Sequence, residues 1–177
     1  YAARTIRPKI RKLLPHYLAP VATPRLKLRA PTLAIDCPET AVTLENIPRL
    51  VSQCDIDHTV KPSPLYQGGT RVARRRLHDF VQAILPRYHE SRNEPSVDGT
   101  SRLSAYLHFG FISIQEIVAA VNESRAPQEA KAAYLEEAIV RRELSFNFTR
   151  FNTNYDSLAA LPAWALKTMR EHSEDTR

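Results

Sequence analysis

A short stretch near the middle of the chain gathers groups that together can bind a phosphate. Asp98-Gly99 is a dipeptide typical of turns, and the hydroxyl residues Thr100 and Ser101 follow it, with Arg102 beside them. Hydroxyls, free backbone N–H groups and a guanidinium around one point can hold a phosphate without a long glycine-rich loop. The simpler interpretation is that Thr100 or Ser101 only caps the next helix, because both are good N-cap residues.

A second candidate site lies on the longest helical pattern of the chain, from Gln128 to about Phe148. Helical spacing predicts one shared face for Tyr134, Glu137, Ala138, Arg141, Leu144 and Phe148. Glu137 and Arg141 are at positions i and i+4, in the order that favours an ion pair. Aromatic and aliphatic side chains share this face, so we expect both charges to line a pocket or groove. A salt bridge with a purely structural role is the alternative.

Several other kinds of site find no support in the sequence. The six histidines are scattered without the spacing of metal ligands, and no metal site is predicted. The nucleophile elbow, the P-loop and the dinucleotide-binding glycine motif are absent, which argues against a hydrolase or a nucleotide triphosphatase. Cys37 and Cys54 are too few for a disulfide framework or a zinc site. We expect both to be free thiols in a reducing compartment.

The composition indicates a globular protein with an anionic partner. Apolar residues make up 43% of the 177 residues, the net charge is +6 and the pI is about 9.5, so nucleic acid is the first partner to expect. No apolar run approaches the roughly 18 residues of a membrane span, and because no apolar segment follows the opening residues we expect no signal peptide. We therefore expect an intracellular protein, cytoplasmic or, in a eukaryote, nuclear or organellar. Because the chain begins with Tyr1 and ends within a helical pattern, we expect it to be part of a longer protein.

The elements that position these residues are predicted to be helices. Residues 4–18 place apolar side chains on one side and basic ones on the other, which predicts an amphipathic helix with Pro8 near its first turn. Pro15 is predicted to bend or end this helix, and its basic side can contact phosphates or simply face solvent. Between residues 20 and 64 prolines interrupt every long pattern, so we expect a connector with at most a short helix near residues 44–54.

After Gly68-Gly69 the pattern becomes strongly helical. A helix with one apolar and one basic face is predicted to loosen or end at Pro86. Its apolar face consists of Ala73, Leu77, Phe80, Val81, Ile84 and Leu85, and its basic face includes Arg71, Arg75 and His78. Ser113 is predicted to cap a helix that stops near residues 122–127, and Pro162 to begin the last helix. No alternating strand pattern is found, so the predicted fold is mainly α.

The order of residues in the first candidate site resembles a known family. It runs Arg92-Asn93-x-Pro95, then Gly99-Thr100-Ser101-Arg102-Leu103-Ser104 and Tyr106-Leu107-His108-Phe109-Gly110. This order resembles the flavin-binding helical domain of the DNA photolyase and cryptochrome family. Glu137-Ala138-Ile139-Val140-Arg141-Arg142-Glu143-Leu144 and the opening Ala3-Arg4-Thr5-Ile6-Arg7-Pro8-Lys9-Ile10 are similar to the class II cyclobutane pyrimidine dimer photolyases in particular.

The resemblance covers most of the chain and implies a mainly α fold made of three parts. Residues 68–177 would be the N-terminal part of the FAD-binding helical domain. Residues 20–67 would be a proline-rich interdomain connector. Residues 1–19 would be the last helix of a preceding α/β domain of the photolyase type.

The same resemblance implies roles for individual residues. FAD, folded over on itself, would be held at its phosphate and ribose by Tyr88, Thr100, Ser101, Arg102, Leu103 and Ser104. Tyr134 lies where other members of the family place an aromatic residue against the flavin. Glu137 matches the catalytic glutamate that hydrogen-bonds the dimer's base carbonyls and stabilises charge on the dimer. Arg92 matches a residue that contacts DNA beside the lesion, and Arg141 falls near a position that contacts the dimer in better known classes.

Two positions depart from the class II pattern. Phe146 stands where that class usually has an acidic residue, and Thr149 where it has a cysteine. We expect these changes to alter hydrogen bonding around this helix or its docking. The contacts to the flavin ring are implied to lie mostly beyond Arg177, so we expect the chain by itself to be poorly active or inactive.

The implied activity is light-driven DNA repair by a carbon–carbon lyase. Reduced FAD would absorb near-UV or blue light and pass one electron to a flipped-out pyrimidine dimer, whose cyclobutane ring splits before the electron returns. The implied partner is UV-damaged DNA, bound by a monomer, and any antenna chromophore would lie outside this chain. Two alternatives remain open. One is a cryptochrome-like blue-light sensor with the same cofactor, and the other is a cofactor-free helical module that binds DNA through its basic faces.

Overall fold

The computed structural model describes residues 3–19 and 41–176, and within them the chain forms helices, turns and loops but no strand. The predicted mainly α fold is thereby confirmed. The chain divides into two compact units, one formed by residues 1–20 and 68–177 and the other by residues 21–67. None of the helices in the described ranges has the length and apolar character that crossing a membrane requires.

The α-helices are numbered in chain order. They are α1 (Ala3–Tyr17), α2 (Ile47–Ser52), α3 (Thr70–Asp79), α4 (Tyr88–Ser91), α5 (Ser104–His108), α6 (Ile114–Glu123), α7 (Gln128–Leu135), α8 (Arg142–Phe151) and α9 (Ala163–Glu171). Two π-helical segments lie at Phe80–Ile84 and Glu136–Arg141, and 3₁₀ turns lie at Leu85–Arg87 and Leu158–Ala160. We refer to Glu136–Arg141 as the π-turn.

The predicted N-terminal helix is present as α1. Pro8 lies in its second turn rather than near its first, and Pro15 does not end it, because the helix continues to Tyr17. Each proline removes one backbone N–H from the helix and leaves one carbonyl without its usual partner. Pro15 is exposed, so water can reach this part of the helix and compensate for the missing bond.

In the smaller unit, the described residues 41–67 contain one short helix, α2, which confirms the predicted helix in the connector. Pro48 lies in its first turn, where a missing N–H costs nothing. The turn before it is closed by a hydrogen bond of 2.9 Å from the Thr43 N–H to Oδ1 of Asn46. Cys54 is exposed and free, as predicted, whereas Cys37 lies outside the described residues.

The core of the larger unit forms around α3 and α6. Ala73, Leu77, Phe80 and Leu85 are buried, which confirms the predicted apolar face of α3 and its continuation. Buried residues of later elements belong to the same cluster: Tyr88, Leu103, Tyr106, Ile112, Ile117, Val121 and Tyr134. Burial of this apolar surface stabilises the arrangement of the surrounding helices.

The helix loosens before Pro86, which is one of the two predicted outcomes. α3 widens into the π-helical segment Phe80–Ile84 and then tightens into the 3₁₀ turn Leu85–Arg87 that contains Pro86. Such local changes of helix type accommodate the N–H that proline lacks. α4 follows directly, and its first residue, Tyr88, is buried.

Two further predicted helix starts are confirmed. The Ser113 hydroxyl accepts a hydrogen bond from the Glu116 N–H at 3.1 Å and so caps α6, which ends at Glu123 in the predicted region. α9 begins at Ala163 with Pro162 as its N-cap, one position later than predicted.

Candidate functional site

A cavity of about 630 Å³ lies between the segment around α5 and the long helix formed by α7, the π-turn and α8. Its lining residues are Tyr88, Ser101, Leu103, Ser104, Leu107, His108, Tyr134, Glu137, Ala138, Arg142, Ser145, Phe146 and Thr149. The volume is in the range of sites that bind organic ligands. The cavity therefore brings Ser101 of the first candidate site together with Glu137 of the second.

The π-turn decides which residues of the long helix face the cavity. Before it and at its start, Tyr134, Glu137 and Ala138 line the cavity, as predicted. A π-helical turn holds about one residue more than an α-helical turn, so later residues are shifted in register. Regular α-helical spacing predicted that Arg141, Leu144 and Phe148 share this face. That prediction is wrong, since none of the three lines the cavity. Beyond the π-turn the cavity is lined instead by Arg142, Ser145, Phe146 and Thr149.

The predicted ion pair between Glu137 and Arg141 does not form. Nη1 of Arg92 binds Oε1 of Glu137 at 3.0 Å instead. Arg141 is exposed, and its positive charge acts on the neighbouring Glu136. The pKa of Glu136 is lowered mainly by a hydrogen bond from Arg7, and the charge of Arg141 adds to this effect. A role of Arg141 in DNA binding stays a prediction.

Arg92 also connects Glu137 with Tyr88. Burial raises the pKa of the Tyr88 phenol, and the negative charge of Glu137 raises it further. The charge of Arg92 and a hydrogen bond with it act in the opposite direction but do not cancel the rise. Tyr88 therefore stays a protonated phenol, and a tyrosine, an arginine and a carboxylate lie side by side at this end of the cavity.

Ser101 and Tyr134 join the two walls of the cavity. The Tyr134 hydroxyl donates to Oγ of Ser101 at 3.3 Å, and the Leu103 N–H donates to the same oxygen at 3.4 Å. Burial raises the pKa of Tyr134, so the phenol keeps the proton that it donates. Because Oγ of Ser101 accepts both bonds, its own hydrogen is available to donate to a ligand in the cavity.

Three aromatic rings pack together beside the cavity. The ring centroids of Phe80 and Tyr134 are 4.6 Å apart. Tyr88 meets both rings edge-on, at 5.2 Å from Tyr134 and 5.9 Å from Phe80. Edge-to-face pairs of this kind stabilise one arrangement of the rings. Tyr88 and Tyr134 are therefore held in fixed positions on the cavity wall.

Only part of the predicted anion site faces the cavity. The residues of this segment that line it are Ser101, Leu103 and Ser104. Thr100 and Arg102 are exposed and do not line it, and Nε of Arg102 donates instead to Oδ1 of Asp98 at 2.9 Å. A role of Thr100 and Arg102 in cofactor binding stays a prediction.

The prediction that Thr100 or Ser101 caps the next helix is wrong. α5 has Leu103 as its N-cap, and no side chain provides a capping hydrogen bond. The chain changes direction at Arg102, whose φ of 52° lies in the left-handed region, so the hydroxyl residues do not lead directly into the helix. Gly99 does not line the cavity either. It faces a separate cavity of about 350 Å³ and lies against the backbone of Ser91.

Arg76 places a positive charge beside the Ser101 backbone. Its Nε donates to the Ser101 carbonyl oxygen at 3.2 Å. Its Nη2 is buried and has no hydrogen-bond partner among the described residues. A buried donor without a partner is costly, so this guanidinium favours an acceptor or an anion near the Ser101 segment.

Sequence reasoning missed several residues of the cavity wall. Leu107 and His108 lie one turn after Ser104 on α5, and helical spacing from Ser104 would have found them. Arg142 was missed because the π-turn shifts the register, and no feature of the sequence signals that shift. Ser145 lies about three regular helical turns after Tyr134, so helical spacing from Tyr134 would have found it.

Both departures from the class II pattern lie on the cavity wall. The guanidinium of Arg142 lies over the ring of Phe146, 4.8 Å from its centroid. The Thr149 hydroxyl donates to the Ser145 and Phe146 carbonyl oxygens of its own helix. Where the resemblance implies an acidic residue, the cavity therefore has the Phe146 ring, which the Arg142 guanidinium covers. Where the resemblance implies a cysteine, the cavity has the Thr149 hydroxyl, which is hydrogen-bonded within its own helix.

The described histidines do not form a metal site. Within residues 3–19 and 41–176 no three His, Cys, Asp or Glu side chains are grouped so as to hold a metal ion. His89 lies between two carboxylates, with Nε2 3.3 Å from Glu129 and 3.7 Å from Glu90. It therefore connects α4 with α7.

Comparison with curated proteins gives a consistent result, although no protein-family model matches the chain. A deoxyribodipyrimidine photo-lyase from Potorous tridactylus is 34% identical over the whole chain, which covers 32% of that protein. Proteins of the same name from Methanothermobacter thermautotrophicus and Arabidopsis thaliana are 34% and 35% identical, with 37% and 36% of their lengths covered. The chain thus spans about a third of the length of the curated relatives it matches.

Proposed function

Since the chain belongs to the DNA photolyase family, we propose that the protein repairs cyclobutane pyrimidine dimers in DNA, in a light-driven reaction that uses reduced FAD. The observation that carries this proposal is the single cavity shared by Ser101, Tyr134 and Glu137. The cavity offers hydroxyl and phenol groups for a cofactor and, about one helical turn after Tyr134, a carboxylate for damaged bases.

The residues present fit the phosphate and ribose parts of FAD. Ser101 has a hydrogen available for donation, and the hydroxyl of Ser104 also faces the cavity. Arg76 adds a positive charge with an unpartnered buried donor next to this segment. The fixed rings of Tyr88 and Tyr134 provide flat apolar surface for an aromatic group. Reduced flavin held by these residues would supply the light-driven electron transfer for a splitting of the dimer that is redox-neutral overall.

Glu137 and Arg92 are proposed to act on the dimer. Glu137 lies on the cavity wall, where its carboxyl group can hydrogen-bond the edges of flipped-out bases. Arg92 holds that carboxyl group through Nη1 and places a positive charge beside it. A fixed positive charge stabilises negative charge that develops on the dimer, and it does so most strongly where water is excluded.

DNA binding outside the cavity is proposed to rest on basic surface residues. Arg71 and Arg75 are exposed on the outer face of α3, and Arg141 is exposed beside the π-turn. Contacts from such residues to phosphates give affinity that does not depend on base sequence and that weakens as salt increases. The net charge of +6 favours this mode of binding.

The organisation of the whole protein is part of the same proposal. Residues 68–177 are assigned to the FAD-binding domain, residues 20–67 to a connector and residues 1–19 to the end of an α/β domain. We assign the protein to the class II photolyases, acting as a monomer, with any antenna chromophore bound elsewhere.

The test uses the purified full-length protein. Its flavin content is read from its absorption spectrum, and an oligonucleotide with one thymine dimer is incubated with the reduced protein in blue light and in the dark. We expect bound flavin and loss of the dimer only in the light. Bound flavin without repair would favour the light sensor and contradict the proposal. DNA binding without flavin would favour the cofactor-free module and contradict it as well.

A further inference from the structure

The first residue of the π-turn is held by a helix from the opposite end of the chain. Nε of Arg7 donates to Oε2 of Glu136 at 3.0 Å, and Nη2 of Arg7 donates to Oε1 at 2.6 Å. This is a two-point contact between a guanidinium and a carboxylate, which fixes direction as well as distance. Both side chains are largely covered, with 32% and 24% exposed. The contact therefore fixes Glu136 relative to α1.

The next residue is held from another direction. Glu137 binds Arg92, which follows α4, so adjacent glutamates bind arginines that are distant from each other in the sequence. A π-helical turn is rare, because an α-helix is normally the more stable backbone. Where a π-helical turn occurs, it is frequently at a functional site. Contacts outside the helix must therefore compensate, and these two ion pairs are fixed to the first two residues of the π-turn.

The π-turn has a direct consequence for the cavity. With it, Arg142 lines the cavity, whereas regular α-helical spacing would place Arg141 there. A residue that holds the π-turn thus selects the side chains that the cavity presents, although it does not line the cavity itself.

We propose that Arg7 is a positioning residue: by binding Glu136 it holds the π-turn, and so directs Arg142 into the cavity. This inference goes beyond the proposed function, and its effect on repair rests on that function. Its effect on the backbone of the π-turn does not, so the two can be tested separately.

The test compares four forms of the full-length protein: wild type, Arg7→Gln, Glu136→Gln and a matched control, Arg74→Gln. The control breaks another close arginine–glutamate pair, since Nε of Arg74 lies 2.6 Å from Oε1 of Glu116. Arg74 and Glu116 do not line the cavity. Hydrogen exchange of the amides in residues 134–145 is measured for each form, together with the quantum yield of dimer repair and the affinity for damaged DNA.

We expect Arg7→Gln and Glu136→Gln to accelerate exchange in residues 134–145 and to lower the quantum yield by ~10-fold, because small displacements of positioned groups have large effects on rate. The affinity for damaged DNA is expected to stay unchanged, as is every quantity in Arg74→Gln. A double variant with the charges exchanged, Arg7→Glu with Glu136→Arg, is expected to recover part of the yield, which a general loss of stability would not explain.

Two results would overturn the inference. One is exchange in residues 134–145 that is the same in Arg7→Gln as in wild type. The other is a quantum yield that falls equally in Arg7→Gln and Arg74→Gln. If wild type repairs no dimers, the proposed function fails instead, and hydrogen exchange still decides whether Arg7 holds the π-turn. If the charge-exchanged variant does not fold, the two single variants decide. Faster exchange of residues 134–145 in both Arg7→Gln and Glu136→Gln supports the inference, and faster exchange in only one of them overturns it.

Discussion

Nη1 of Arg92 lies 3.0 Å from Oε1 of Glu137 and joins two segments that are 45 residues apart in the sequence. The resemblance assigns Arg92 to DNA and Glu137 to the dimer, and the structure makes them one ion pair. With 29% and 42% of their side chains exposed, both remain accessible to a ligand. A ligand that binds Arg92 would therefore also change the surroundings of the carboxylate.

Arg92→Gln should weaken binding to damaged DNA and make that binding less sensitive to salt. The substitution removes one positive charge that is expected to contact a phosphate, so the slope of log affinity against log salt should fall by about 1. Fluorescence anisotropy of a labelled oligonucleotide at several salt concentrations measures this slope. An unchanged slope would mean that Arg92 makes no phosphate contact.

Tyr134→Phe should have a small effect on stability, whereas Tyr134→Ala should have a large one. Tyr134→Phe loses only the bond of 3.3 Å to Ser101, worth about 1 kcal/mol of unfolding free energy. Tyr134→Ala also removes the ring that packs on Phe80, at a cost of roughly 3–5 kcal/mol. Urea unfolding measures both. Equal losses would show that the hydroxyl, rather than the ring, provides the stabilisation.

The helices α3 and α6 were predictable because each has an apolar face that the core covers. Regular helical spacing predicts that Ala73 and Leu77 of α3 are buried, and both are. A local hydrogen bond to the Ser113 side chain determines where α6 begins. The resemblance implied a cofactor role for Ser101 and a role at the dimer for Glu137, and one cavity contains both.

The register of the long helix was not predictable in the same way. Regular spacing pointed to Arg141, and the cavity contains Arg142 because of the π-turn. The ion pairs at the start of that turn come from Arg7, 129 residues before Glu136, and from Arg92. Periodicity describes a helix by itself, so it contains no information about contacts that distant segments impose.

Gly99→Ala should destabilise the protein by about 1–3 kcal/mol, as overpacking of a close contact generally does. A Cβ at this position would lie 2.5 Å from the Ser91 carbonyl oxygen, which is too close without a shift of the backbone. Gly68→Ala is a suitable control, because its nearest contact would be the Phe111 side chain at 3.4 Å. Chemical unfolding compares the two variants, and equal stability of both would contradict the prediction.

The effect of Arg7→Gln on thermal stability should depend on pH. Arg7 lowers the pKa of Glu136 below its ordinary value of 4.5, so the ionised carboxylate stabilises the folded state above that value. This contribution is lost as the pH falls through the lowered pKa. The Tm difference between wild type and Arg7→Gln should therefore be largest at neutral pH and shrink below pH 4.5. A difference that does not vary with pH would contradict this assignment.

The most direct test of the shared cavity is the quantum yield of dimer repair by full-length Glu137→Gln at a flavin content equal to that of wild type. Hydrogen bonds to charged groups contribute about 1.5–3 kcal/mol, so their loss should slow splitting of the dimer by roughly 10-fold to 100-fold. The yield should fall, because unproductive return of the electron competes with the slower splitting. The control is Glu116→Gln, the same change in a residue that does not line the cavity, and it should repair dimers like wild type. Equal yields for wild type and Glu137→Gln would contradict the account.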